Sequence, residues 1–299
     1  MILFAFEAYQ AMAVALEKDT DLTLGRFRLA RFENGEMYVK VETVVRSENC
    51  FVLGSIAPPD EQLLSTLLLA HTLKKEGARR VTGLFPYLGY ARHDKDKPGE
   101  SLATAWTGAI AAASGLDGVI TIDVHSERAK QLFRIPVLSL SPAAVFAEAL
   151  MRYGLRGSTI VAPDQGAIGR CQAVQSAAGL APGKIPYFKK QRAATGVMHV
   201  GPIGEVGRQT VIVDDILDTG GTLLSACKKL GEAGAEEITI MVTHGLFTGD
   251  RWKDLRGLGV KRIFCTDSVP PAAGVCGDDI VRLSITPLLA EELCSAAKA

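Results

Sequence analysis

The chain has 299 residues, and its 33 Lys plus Arg are matched by 33 Asp plus Glu. This length suits two ordinary domains or one large one, and 47% hydrophobic with 22% charged residues is the make-up of a globular protein with ample core material. A balanced charge gives no reason to expect a nucleic-acid or anionic membrane surface as partner.

In chain order, the apolar opening Met1 to Asp19 is interrupted by Glu7 and has no Lys or Arg before its apolar stretch. This argues against a signal peptide. No run reaches the roughly 18 uninterrupted apolar residues of a membrane span, so the cytoplasm is the expected compartment. Residues 26–55 read as an antiparallel meander, with Asn34-Gly35 as a two-residue hairpin turn.

From there one pattern recurs. Short runs rich in Val, Ile and Phe start near Arg79, Gly118, Ser158, Gln209, Glu236 and Lys261, and end in polar or acidic residues. Ala/Leu-rich helical stretches such as 61–77, 100–115 and 222–234 alternate with them, ending at Gly77, Gly115 and Gly234. A terminal Gly suits a left-handed C-cap. Near-continuous apolar strands alternating with helices predict parallel sheets covered on both faces, a doubly wound α/β architecture. The pattern runs twice, which predicts domains 1–141 and 142–299 with a boundary near Ser141-Pro142. The six cysteines have no C-x-x-C spacing, so they read as buried thiols rather than a zinc site.

In such sheets ligands bind beyond the carboxyl ends of the strands. The sharpest signal there is Val211 to Cys227. A buried strand delivers Asp214 and Asp215 at its end, then come Asp218, Thr219, Gly220, Gly221 and Thr222, then a helix. Glycines and a helix start cradle a phosphate, and the two threonines add donors. Carboxylates suit sugar hydroxyls or a metal, so the block reads as a ribose phosphate site. A glycine-rich turn with a threonine N-cap is the plain structural alternative.

This block resembles the phosphoribosyl pyrophosphate-binding motif shared by type I phosphoribosyltransferases and ribose-phosphate diphosphokinases. Phe85 to Ser101 resembles the P-Y-x-G-Y-A-R-x-D segment of the diphosphokinases alone, with His93 where that family more often has Gln. By that resemblance Arg92 and Asp94 belong to an ATP site. His125, in Thr121–Val137, matches the family's D-x-H, where the His helps hold magnesium–ATP, and Asp123 could orient its ring. Asp164 matches the family's S-P-D-x-G-G, near sugar phosphate and metal, although Ala162 and Ala167 replace the Ser and the second Gly. An N-cap is the alternative reading of Asp164.

Lys190 and Arg192 match the K-x-R of the family's catalytic loop, with Lys189 where an acid is usual. Their implied work is to neutralise diphosphate charge in the transition state. Phe32 and Glu36 fall in a segment similar to F-x-[DN]-G-E, which contacts adenine across a dimer interface, so a homo-oligomer is implied. A hairpin accounts for the same residues without a ligand. The resemblance covers about Arg31 to Pro270, with all motifs in family order. It implies two phosphoribosyltransferase-like domains with the active site between them, and a last segment packed back on the first. It also implies Mg2+ as cofactor, and transfer of the diphosphate of ATP to ribose 5-phosphate.

Two other readings stand beside it. A phosphoribosyltransferase would share the phosphate loop but leave Phe85–Ser101 and the doubled domain unexplained. A non-catalytic regulatory relative would account for Ala162, Ala167 and Lys189, whereas Asp214, Asp215, Arg92, His125 and Lys190 favour activity. The sequence has no G-x-x-x-x-G-K-[ST], and no strand-borne G-x-G-x-x-G or G-x-S-x-G.

Overall fold

The computed structural model describes residues 1–193, 196–271, 274–275 and 277–296. Residues 190–193 and 196–199 are described in backbone alone, and Cys276 lies outside the described residues. The chain divides into two compact units, Met1–Leu140 with Thr286–Ala299, and Ser141–Ile285. The sequence boundary near Ser141-Pro142 falls beside the first of these divisions.

The elements of the first unit run β1 (Ile2–Ala5), α1 (Gln10–Asp19), β2 (Thr23–Leu24), β3 (Phe27–Arg31), β4 (Met37–Val41), β5 (Asn49–Leu53), α2 (Asp60–Lys75), β6 (Arg80–Phe85), α3 (Ala103–Ala113), β7 (Gly118–Ile122), α4 (Glu127–Leu132) and β8 (Val137–Leu140). Those of the second run α5 (Ala143–Arg152), β9 (Thr159–Val161), α6 (Ile168–Ala177), β10 (Tyr187–Ala193), β11 (Gly196–Ile203), β12 (Gln209–Leu217), α7 (Gly221–Glu232), β13 (Glu237–Gly245), β14 (Val260–Thr266) and β15 (Ile280–Leu283). The last helix, α8 (Thr286–Ala296), returns to the first unit, where the Cys294 thiol donates to the Asp19 carbonyl at the end of α1.

The main sheet of the first unit has the order β2-β1-β5-β6-β7-β8, and every pairing in it is parallel. The second has β15-β14-β13-β12-β9, again all parallel. This is the predicted α/β class. Apolar side chains of β12 alternate between two cores. Val211 and Val213 pack with Phe146, Leu150 and Val174, while Ile212 packs with Leu223 and Leu230. A strand buried on both faces must be apolar on both, which is why it reads as a continuous hydrophobic run.

Helix α7 meets the sheet with Leu223, Ala226, Cys227 and Leu230, a stripe at helical spacing. Helix α2 carries Asp60 and Glu61 in its first turn and Lys74 and Lys75 in its last, each complementing the helix dipole. Gly77, Gly115 and Gly234 adopt φ of +90°, +89° and +95°, the left-handed geometry expected at those helix ends.

Two expectations are corrected. Residues 26–55 are not a meander. Strands β3 and β4 form a separate antiparallel pair, while β5 joins the parallel sheet between β1 and β6. Asn34-Gly35 is also not a two-residue turn. The Gly35 N–H donates to Phe32 and the Phe32 N–H to Glu36, with Gly35 at φ +88°. The loop is thus Glu33-Asn34-Gly35, a turn followed by a left-handed residue, and the Asn34 side chain accepts from the Glu36 N–H at 3.1 Å.

The second unit carries its own antiparallel pair, β10 and β11. Its base is held where the Ala162 N–H donates to Pro186 at 2.9 Å, and where Phe188 is fully buried with Val161 and Ile212. Phe188→Ala is expected to cost about 3–5 kcal/mol in a urea unfolding titration. A loss below about 1 kcal/mol would mean that this ring does not anchor the hairpin.

Candidate active site

In the second unit, β12 runs on to Leu217, so Asp214 and Asp215 stand within the strand rather than at its end. Asp214 pairs with Val242 of β13, and Leu217 with Gly245. Both carboxylates are buried, at 8% and 7% exposure. The Asp215 N–H donates to Asp214 Oδ1 at 3.0 Å. Arg170, on α6, lies 4.0 Å from the Asp214 carboxylate and 3.9 Å from that of Asp215. These are long contacts, so the guanidinium serves both acids without closing on either.

Burial pushes the Asp214 carboxyl well above the usual range. The Asp215 carboxylate adds to this, Arg170 partly opposes it, and Asp164 adds a little more. Asp164 follows β9 and caps the 3₁₀ segment Gln165–Ala167, its Oδ1 accepting from the Ala167 N–H at 3.1 Å. The N-cap reading of Asp164 is therefore realised. Ala162 and Ala167, where the family pattern differs, are both buried in the core between α5, α6 and the sheet.

The loop Asp218–Thr222 joins β12 to α7. Its base is pinned where the N–H groups of Leu246 and Phe247 donate to the Leu217 carbonyl at 2.8 and 3.1 Å. Gly220 is the N-cap of α7 at φ +84°, with no side-chain cap. Two constraints demand glycine there. The left-handed angle is one. The other is that a Cβ would come within 2.8 Å of the Trp252 Cα. The first N–H groups of α7 thus face the loop at the positive end of the helix dipole, a geometry suited to an anion.

Lys190 and Arg192, expected on a loop, lie on β10, where Lys190 pairs with His199 and Arg192 with Val197 of β11. Their side chains lie outside the described residues. The pairing has an irregularity between Tyr187 and Lys189.

In the first unit, the Arg92–Asp94 segment follows β6 and His125 follows β7, adjacent parallel strands. A side-chain tie joins the two segments. The Ser126 hydroxyl donates to Asp94 Oδ2, and Ser126 caps α4 by accepting from the Ala129 N–H at 3.0 Å. Arg128 Nε donates to the Asp94 carbonyl at 2.6 Å. Asp94 is buried, while Arg92 and His125 are exposed. Asp123 holds φ +44° just before His125, an uncommon angle for a residue with a side chain.

Phe32 and Glu36 sit together at the exposed end of the β3–β4 hairpin, and Phe32 packs on Tyr38 with ring centroids 4.7 Å apart. A cavity of about 610 Å³ lies between this hairpin and the start of α2, lined by Phe6, Tyr9, Arg31, Glu61 and Gln62 among others. Arg92, Asp94 and His125 do not line it. Among the described residues no three His, Cys, Asp or Glu side chains gather as a metal cage, and no helix is long and apolar enough to cross a membrane.

Comparison with known proteins gives the family. Residues 1–115 match the model of the N-terminal domain of ribose phosphate pyrophosphokinase, and residues 171–296 match that of the phosphoribosyl synthetase-associated domain. A ribose-phosphate pyrophosphokinase of Ralstonia nicotianae is 32% identical, covering 97% of this chain and 93% of the relative. The chain belongs to the ribose-phosphate pyrophosphokinase family. A Maricaulis maris member is 34% identical over 91% of this chain and 89% of its own. The Methanothermobacter thermautotrophicus member is 30% identical over 97% and 99%. The crystal structure of phosphoribosylpyrophosphate synthetase from Mycobacterium smegmatis superposes with a TM-score of 0.87 at 26% identity, covering 99% of this chain and 98% of that one.

Sequence reasoning missed Arg170, Ser126 and Trp252. Arg170 stands only six residues after Asp164, and Ser126 directly follows His125, but their partners are distant in sequence. Trp252 has no motif at all.

The raised Asp214 carboxyl has a consequence for stability. A folded-state pKa above the unfolded value means that ionisation destabilises the fold as pH rises past the unfolded pKa of about 3.9. Asp214→Asn is therefore expected to unfold at an equal or higher temperature than the parent at about pH 8, with the difference shrinking as the pH falls towards about 3.9. A lower melting temperature at the higher pH would mean that attraction to Arg170 outweighs burial.

Proposed function

We propose that this chain transfers the diphosphate of ATP to O1 of ribose 5-phosphate, giving phosphoribosyl pyrophosphate and AMP. One observation carries the reading. The phosphate loop with its buried acid pair occurs in a chain that is similar, over nearly its whole length, to ribose-phosphate pyrophosphokinases. A phosphoribosyltransferase has no use for the first unit's Phe85–Ser101 segment. The substitutions at Ala162 and Ala167, which suggested a regulatory relative, fill core volume, so they do not argue against turnover.

In this reading the 5-phosphate sits on the loop Asp218, Thr219, Gly220, Gly221 and Thr222, where free N–H groups and hydroxyls receive it. Asp214 and Asp215 accept from the ribose hydroxyls. Their burial suits this, since a carboxylate short of water gains most from a donor. In the first unit Arg92, Asp94 and His125 serve ATP. The Ser126 tie holds two of their segments in one arrangement before the nucleotide arrives. Phe32 and Glu36 form an adenine contact in a homo-oligomer. The exposed Phe32–Tyr38 stack suits this, because an exposed aromatic pair gains from cover.

Mg2+ fits as the cofactor. It takes one or two carboxylates and completes its shell with water and substrate phosphates, and the Asp164 carboxylate after β9 offers such a ligand. Asp164, with Oδ1 on the Ala167 N–H, would serve the metal from the second unit, and His125 would serve magnesium–ATP in the first. The ion would supply charge neutralisation on the phosphates.

The reaction is a displacement at the β-phosphorus, with the anomeric oxygen entering and AMP leaving. It depends on alignment and charge neutralisation more than on covalent help. Lys190 and Arg192 supply positive charge to the transferring diphosphate. The cytoplasm is the compartment in which we place this chemistry.

Purified protein with Mg2+, ATP and ribose 5-phosphate is expected to release AMP and phosphoribosyl pyrophosphate in equal amounts. Lys190→Ala should slow this roughly 100- to 10,000-fold with little change in melting temperature. Release of ADP would mean a simple kinase and overturn the mechanism. Product formation undiminished in the variant would remove Lys190 from the chemistry.

A further inference from the structure

The loop Asp218–Thr222 has a neighbour that no motif predicted. After β13 the chain turns through Leu246–Asp250 into a 3₁₀ segment, Arg251–Leu258. Trp252 anchors this segment. It is 2% exposed, its indole N–H donates to the Gly249 carbonyl at 2.9 Å, and Phe247 meets it edge-on with centroids 4.9 Å apart. Its backbone packs where Gly220 has no side chain.

That contact delivers the preceding residue, Arg251, to the start of α7. One of its guanidinium nitrogens lies 3.6 Å from the point that a Cβ on Gly221 would occupy. Arg251 is exposed, and among the described residues it has neither an ion-pair nor a hydrogen-bond partner. The acid beside it, Asp250, is engaged by Lys253 at 2.5 Å.

This placement has the wrong sign for an empty protein. The first turn of a helix is its positive end, with N–H groups lacking intrahelical partners. Gly220 brings no side-chain acceptor to them. A cation fixed there, unpaired, is repelled rather than held. A phosphate dianion between them reverses the sign for both, because it accepts from the N–H groups on one side and from a guanidinium fork on the other.

We propose that Arg251 is a binding residue for the 5-phosphate of the sugar substrate, closing the loop from the side of Gly221 and favouring a 5-phosphorylated sugar over an unphosphorylated one. The inference rests on the reading of Asp218–Thr222 as the ribose 5-phosphate site and adds a residue to it from a different part of the chain. The Trp252–Gly220 contact is what makes the addition rigid, since the arginine approaches the loop from a buried anchor rather than from a free surface turn.

The test is a thermal-shift titration of the full chain with ribose 5-phosphate alone, for the parent, Arg251→Gln and Arg251→Lys, followed by steady-state kinetics. The parent should show a saturable rise in melting temperature. Arg251→Gln should raise the apparent Kd and the KM for ribose 5-phosphate roughly 10- to 100-fold, with Arg251→Lys in between. The KM for ATP should stay within about twofold of the parent. Without ligand the Gln variant should melt no lower than the parent, which a merely structural role would not allow. Equal affinities in parent and Gln variant would overturn the role of Arg251 and leave the loop assignment standing. A parent that shows no response to ribose 5-phosphate would overturn the loop assignment and this inference with it.

Discussion

A parallel strand buried on both faces ordinarily carries no charge, and β12 carries two acids side by side. The arrangement around them follows from that constraint. Arg170 approaches both carboxylates from α6 without closing on either, and Asp164 lies near enough to raise Asp214 further. Burial and the neighbouring Asp215 carboxylate push the Asp214 carboxyl well up, and Arg170 opposes this only in part. A fold under no functional demand would replace such a pair with apolar residues. In the proposed reading the pair is kept because a sugar presents hydroxyl donors to it.

The same unit handles the opposite charge a few residues later. Beyond Leu217 the chain turns at Gly220, and α7 presents its positive end. Hydrogen-bond acceptors and donors are thus set apart along one stretch of chain. A sugar phosphate has that same polarity. Trp252 holds the donor end in place because Gly220 leaves room for its backbone. In the first unit a smaller device does comparable work. Ser126 uses its hydroxyl twice, accepting from Ala129 to start α4 and donating to Asp94. Segments about 30 residues apart therefore share one position, which is the preorganisation that phosphoryl transfer needs.

Much of this was legible in the sequence, for a definite reason in each case. The strand–acid–loop–helix order of Val211–Cys227 is local, and local order survives folding. The terminal glycines at 77, 115 and 234 were legible because a left-handed residue has few substitutes. The early segment was misread because β5 and the hairpin strands look alike in composition. Only pairing distinguishes an antiparallel partner from a strand inserted between β1 and β6. The strand character of Lys190 and Arg192 was missed for a related reason. A charged run reads as a solvated loop, yet β10 is paired to β11 and anchored by Phe188.

The sequence alone determined the α/β class, the two rounds of strand and helix, and the chemical kinds of residue at the strand ends. These follow from periodicity, glycine and carboxylate placement, which act over a few residues. Tertiary structure decided which distant groups answer one another: Arg170 with Asp214 and Asp215, Ser126 with Asp94, and Trp252 with Gly220, bringing Arg251 beside the loop. Each of these pairings closes a long stretch of chain, and nothing in either local segment names its partner. Their energies come from burial and charge in a shared low-dielectric space, which exists only once the sheets and helices have packed.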